Sequence, residues 1–118
     1  MAETGRPSSK AGPSSVGVEE ARRRLESPQP PFLLDVREPW EFTEGHVPAA
    51  RLIPLGELER RAKEVPGDRP VLVICQSGQR SLAAASYLAL MGWPDVTNVE
   101  GGTGAWVQKG YPVERGPI

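Results

Sequence analysis

The sequence predicts an α/β domain built on a parallel sheet, and three features carry that prediction. Short apolar runs alternate along the chain with segments of helical periodicity. The strongest runs, "FLLDVR" and "VLVIC", lack an in–out alternation, as expected of strands buried on both faces. At 118 residues the chain has room for a single core of this kind.

Met1 to Ser15 reads "MAETGRPSSKAGPSS", rich in Ser, Gly and Pro and without aliphatic periodicity. The expectation is a disordered N-terminal tail over residues 1–15 and one folded domain over residues 16–118. "VEEARRRLE" (Val18 to Glu26) reads as an amphipathic helix, with acids early and arginines late, as its dipole prefers. "SPQPP" ends it. Phe32 to Arg37 forms a buried strand, and "EPWEF" opens a helical turn with Pro39 near its start. "ARLIPL" (Ala50 to Leu55) is a weaker strand that Pro54 confines to a sheet edge or cuts short. From Leu55 onward, Leu55, Leu58, Ala62 and Val65 share one helical face. "PGDRP" turns the chain into the strand "VLVIC". Arg80 to Met91 is the best helix, closed by Gly92 with Pro94 beyond. "VTNVEGG" is a last strand running into a double glycine, and "GAWVQKG" a short final helix.

Right-handed crossovers then place helices on both faces of the sheet. The loops after Arg37, Cys75 and Glu100 all open at the carboxyl edge of the strands, where ligands collect in such folds.

Composition removes several function classes. A net charge of −1 leaves no basic surplus for nucleic acid. One cysteine excludes an intrachain disulfide, and one Cys with one His is too small a set for a metal site. No run reaches the length of a membrane span and no secretory signal is visible, so the expectation is a soluble cytoplasmic protein without membrane partners.

Cys75 ends the strand "VLVIC", and Gln76, Ser77, Gly78 and Gln79 must turn the chain before a helix begins at Arg80. Gly78 permits a positive φ there. Successive amides in such a turn converge as an anion-binding nest, reinforced by the helix N-terminus behind it. A thiol in that position has its pKa lowered, and Arg80 and Ser81 add a cation and a hydroxyl. On these residues alone Cys75 admits two readings, an activated thiol or a small apolar group ending a buried strand.

Three blocks decide between them. "FLLDVREPWEFTEGHVPAARLIPL", "VICQSGQRS" and "NVEGGTGAWVQKGYPV" together resemble a single-domain rhodanese, a thiosulfate or persulfide sulfurtransferase. The resemblance implies a parallel five-stranded sheet flanked by helices. It makes Cys75 a nucleophile that takes the outer sulfur of a donor such as thiosulfate and passes it, as a persulfide, to an acceptor. That acceptor is cyanide in an assay and a thiol or thioredoxin-like protein in a cell. Gln76, Ser77, Gly78, Gln79, Arg80 and Ser81 become the substrate-binding loop, with no cofactor and no metal required. Asp35 and Arg37 brace the loops behind it, with a lesser share in the pocket itself. His46 is implied to be a structural residue of a turn, holding backbone groups rather than forming a Cys–His dyad.

Departures from the family pattern are local. Gln76 stands where many relatives carry a cation, Gln79 is neutral, and Ala49 occupies a turn position where glycine is common. Cysteine-dependent phosphatases use Cys-x5-Arg, whereas four residues separate Cys75 from Arg80, a loop sized for a sulfur atom rather than a phosphoryl group. The rival from another class is a rhodanese-fold module that senses sulfide or oxidant through the same thiol. Glu38 and Glu41 are expected to pair with Arg37. Trp40, Trp93 and Trp106 are expected to fill core and seam positions, and the arginines at 22–24 and 60–61 to face solvent.

Overall fold

The computed structural model describes residues 12–117. Five parallel strands form one sheet: β1 (Ser14–Val16), β2 (Phe32–Asp35), β3 (Arg51–Leu52), β4 (Val71–Ile74) and β5 (Val96–Val99), in the spatial order β1-β5-β4-β2-β3. The helices are α1 (Val18–Leu25), α2 (Pro39–Glu44), α3 (Leu58–Arg61), α4 (Gln79–Leu90) and α5 (Gly102–Gln108). The central strands β4 and β2 run in register from Phe32 opposite Val71 to Asp35 opposite Ile74. All strands therefore end at the same edge, and the β2–α2, β4–α4 and β5–α5 loops meet there.

Alternate residues of the buried strands point to opposite faces, which divides the core in two. Leu34, Val71, Val73, Cys75 and Val96 pack with Leu58 of α3 and with Ala84, Ala85 and Leu88 of α4. Leu33, Leu72, Ile74 and Val99 pack with Val18 and Ala21 of α1 and Trp106 of α5. Burial on both faces explains why β2 and β4 read as unbroken apolar runs. Small residues in α4 let that helix approach the sheet closely. Among the described residues, no helix is long and apolar enough to cross a membrane.

Several boundaries differ from the sequence reading. Ser14 and Ser15, grouped by composition with the tail, instead pair with Thr97 and Asn98 as part of β1. The Ser14 and Thr97 hydroxyls bond at 2.7 Å, and the Glu100 amide donates to the Val16 carbonyl at 2.7 Å. An edge strand of three residues needs only that ladder and no apolar signature, so composition missed it. The rest of the expected tail, residues 1–11, lies outside the described residues. β3 agrees with the expectation from Pro54 in both respects, an edge strand and only two residues long. The helix expected after Leu55 is broken into a 3-10 turn, α3 and a second 3-10 turn over Leu55–Glu64. Its apolar face is nevertheless the expected one, with Leu58 and Val65 buried and Leu55 and Ala62 packed against them. Trp106 is buried and Trp93 half-buried, but Trp40 is 64 % exposed rather than a seam residue. It occupies the first turn of α2, whose inward face is taken by Phe42.

Ala49 has φ +75°, and it is the sole non-glycine residue with a positive φ among the described residues. An L side chain in that region is disfavoured by roughly 1–2 kcal/mol. Glycine would relieve that strain while adding unfolded-state entropy. Ala49→Gly is therefore expected to stabilise the fold by about 0.5–1 kcal/mol, read as a higher denaturant midpoint at unchanged m. A lower midpoint would show that the turn is not strained.

Candidate active site

Cys75 follows β4 directly, and its side chain turns back under the loop that begins α4. Gly78 sits at φ +106° and donates its amide to Cys75 Sγ at 3.1 Å. Burial raises the thiol's pKa, since Cys75 is 1 % exposed, while the Ser81 hydroxyl and the amides of Ser81, Gly78 and Ser77 lower it; the net shift is downward. The Ser81 hydroxyl has one proton, and Asn98 Oδ1 at 2.5 Å competes for it. The backbone amides are thus the constant part of the cradle. α4, twelve residues long, adds the positive potential of its N-terminus.

The loop holds this shape because its carbonyls are bonded on the far side. Thr103 donates its amide to the Cys75 carbonyl at 2.8 Å and its hydroxyl to the same oxygen at 3.1 Å. The Gly104 amide donates to the Gln76 carbonyl at 3.0 Å. These contacts require Gly102, at φ +59°, where a Cβ would overlap the carbonyl oxygens of both Cys75 and Gln76. With the carbonyls drawn towards α5, the amides that follow face the sulfur. Gly78 is also tight against its neighbour, since a Cβ there would come within 3.2 Å of the Gly101 nitrogen. Asn98 secures the loop from β5, its Nδ2 donating to the Gly78 carbonyl at 3.3 Å.

The charged residues pair differently from the sequence expectation. Arg80 makes a two-pronged ion pair with Glu41, Nη1 to Oε1 at 2.8 Å and Nη2 to Oε2 at 2.9 Å. That contact brings the Glu41 carboxyl down to about 2, against burial that raises it. Glu41 also caps α2, accepting the Glu38 amide at 3.0 Å. Arg37 does not meet the Glu41 carboxylate. It lies buried against Asp35, with Nη2 to Oδ2 at 2.9 Å, and reaches the Gly45 carbonyl at 2.9 Å and Gln76 Oε1 at 3.3 Å. Asp35 and Arg37 thereby tie the β2–α2 loop to the cysteine loop. Gln76, Ser77 and Gln79 are exposed at the mouth of the loop, whereas Gly78 and Ser81 are buried behind it.

His46 stands apart from the thiol chemistry. Its Nδ1 bonds the Phe42 carbonyl at 2.8 Å, which assigns the proton to that nitrogen, and its ring stacks on Phe42 at 3.7 Å. Its backbone pairs with Glu114. Sequence reasoning missed four supporting residues, namely Glu41 in its pairing, Asn98, Gly102 and Thr103. Asn98 had left a signal, a polar residue within the otherwise apolar run of β5.

Comparison with known proteins agrees with this geometry. The sequence model of the rhodanese-like domain matches residues 17–109. A protein named sulfurtransferase from Allochromatium vinosum is 35% identical over 100 residues, covering 85% of this chain and 94% of its own. A rhodanese-related protein from Thermoplasma volcanium superposes with a TM-score of 0.77 at 35% identity, covering 85% of this chain and 96% of its own. A thiosulfate sulfurtransferase from Pseudomonas aeruginosa superposes with a TM-score of 0.80 at 27% identity, covering 90% of this chain and 21% of that longer one.

Gly102→Ala tests whether the carbonyl anchoring shapes the cradle. It is expected to cost more than about 2 kcal/mol of stability and to shift the pH profile of Cys75 alkylation upward. An unchanged profile in the folded variant would mean that α5 does not set the loop.

Proposed function

The chain belongs to the rhodanese-like domain family, and on that premise we propose that it is a sulfurtransferase working through a persulfide on Cys75. The thiolate attacks the outer sulfur of a sulfane donor. With thiosulfate, the donor's S–S bond breaks, its electron pair leaves with sulfite, and Cys75 carries the transferred sulfur as a persulfide anion. A thiophilic acceptor then attacks that terminal sulfur and regenerates the thiolate. Cyanide would leave as thiocyanate, and a thiol would leave as its own persulfide. Both half-reactions balance without an external oxidant or reductant, and ping-pong kinetics follow.

The observation that carries this reading is the Gly78 amide 3.1 Å from Cys75 Sγ, within a ring of amides at the start of α4. Such a ring stabilises negative charge on the thiolate and, one bond further out, on the persulfide. The roles of Gln76, Ser77, Gly78, Gln79, Arg80 and Ser81 as substrate-binding residues belong to this proposal, as does the support of Asp35 and Arg37 behind them. Phosphoryl transfer is less well served, because the guanidinium such chemistry needs on its anion is held by Glu41. A single thiol kept reduced suits a compartment such as the cytoplasm, with a thiol or thioredoxin-like acceptor at hand.

Intact-protein mass spectrometry after incubation with a sulfane donor is expected to show a gain of one sulfur, removed by adding cyanide. Cys75→Ser is expected to abolish both the adduct and turnover while leaving the fold intact. Turnover near the wild-type level in that variant would exclude the covalent mechanism.

A further inference from the structure

The cysteine loop occupies the carboxyl edge of the sheet. At the other end of β2, on the face covered by α1 and α5, lies a cleft of about 520 Å³ that the sulfur chemistry does not use. Its volume falls within the range of about 300–1,000 Å³ typical of small-molecule sites. Phe32 and Leu33 of β2 line it together with Val47, Ala49, Trp106 and Pro112. Leu33, Val47 and Trp106 are buried in the core, so this part of the cleft is preformed. Trp106 makes no polar demand on a ligand, because its indole N–H already donates to the Pro112 carbonyl at 2.8 Å. Ala49 is the residue held at φ +75°, and backbone strain of this kind recurs at ligand clamps.

The rim adds positive charge to this apolar lining. Arginines of α1, α3 and the cysteine loop are all spent on carboxylates. Arg22, which borders the cleft, is committed in this way, with Nε 3.0 Å from Glu26 Oε2 and its guanidinium 4.4 Å from the centre of the Tyr111 ring. Glu26, the carboxylate that borders the cleft, is thereby taken. Arg51 and Arg69 border the same cleft and are exposed, and among the described residues neither makes an ion pair. Glu64 acts on Arg51 electrostatically, but from beyond ion-pair distance. One terminal nitrogen of Arg69 donates to the Pro30 carbonyl at 2.9 Å, which fixes the guanidinium at the rim and leaves its other donors available.

We propose that this cleft binds a small amphipathic carboxylate, an organic anion whose apolar body lies on Phe32, Val47 and Trp106 while its charged end pairs with Arg51 and Arg69. A guanidinium fork matches a carboxylate with two parallel hydrogen bonds, and the apolar floor supplies the contact area that such a pair lacks on an open surface. The ligand does not reach the thiol, because β2 and β4 run in register from the cleft end of the sheet to the cysteine end. The site therefore stands whether or not Cys75 transfers sulfur.

Isothermal titration calorimetry of the full chain with decanoate and with 4-phenylbutyrate is expected to show saturable one-to-one binding, with a Kd below about 100 μM. 4-Phenylbutanol, which keeps the apolar body and lacks the charge, is expected to bind about tenfold more weakly. Acetate, which has the charge without the body, is expected to give no saturable heat at the same concentrations. Arg51→Gln and Arg69→Gln are each expected to weaken 4-phenylbutyrate about fivefold and to leave the alcohol unchanged. Both side chains are exposed, so neither substitution touches the core. Arg60→Gln, which removes an arginine outside the cleft, is expected to change nothing. Absence of saturable binding by both carboxylates, an alcohol that binds as tightly as the acid, or an affinity unmoved by both cleft substitutions would overturn the inference. So would a dimer in sedimentation velocity that Arg51→Gln dissociates, since the cleft would then belong to a second copy of the chain.

Discussion

The site depends on where two carbonyl groups go. A chain leaving a strand through a four-residue loop can direct either its carbonyls or its amides at the side chain it encloses. Thr103 and Gly104 take the carbonyls of Cys75 and Gln76 on the outside. Gly102 allows that approach because any side chain there would occupy the space of those oxygens. Gly78, with its positive φ, completes the inward turn of the amides. The acidity of the thiol is therefore a property of backbone packing between the β4–α4 and β5–α5 loops, and side-chain charge adds little to it.

That arrangement decides a competition. Burial alone would make Cys75 a weak acid and an inert core residue. The Ser81 hydroxyl and the amides of Ser81, Gly78 and Ser77 act the other way and win. Because neutral dipoles rather than a cation do this, the positive charge of Arg80 is free to be spent on a structural pair with Glu41, which links α2 to α4 across the mouth. Arg37 and Asp35 form a second link underneath, from the β2–α2 loop to Gln76. A preformed anion cradle with a nearly neutral rim is the outcome.

Much of this was legible in the sequence. Unbroken apolar runs announced β2 and β4, Pro54 announced an edge, and a lone cysteine before a glycine-bearing turn announced the loop. Local chemistry dictates these features, so sequence carries them. β1 was not legible, because Ser14 and Ser15 gain their conformation from a partner strand more than eighty residues away. Nor was the partner of Arg80, since proximity in sequence favoured Arg37 for Glu41 while the fold brings positions 39 residues apart together. Trp40 was placed in a seam by its size, but α2 has a single inward face and Phe42 fills it. Asn98 and Gly102 were visible as a polar break in a strand and as half of a double glycine; their role in orienting the loop appears only in three dimensions.

The central claim is that backbone amides hold negative charge on Cys75. The most direct measurement is the ultraviolet absorbance of the thiolate as a function of pH, in the folded protein and in denaturant, with Cys75→Ser as the blank. The account predicts that the folded protein ionises well below the denatured chain, whose thiol should titrate near the ordinary value of about 8.5. Coincident titrations, or a folded thiol that ionises later than the unfolded one, would contradict it.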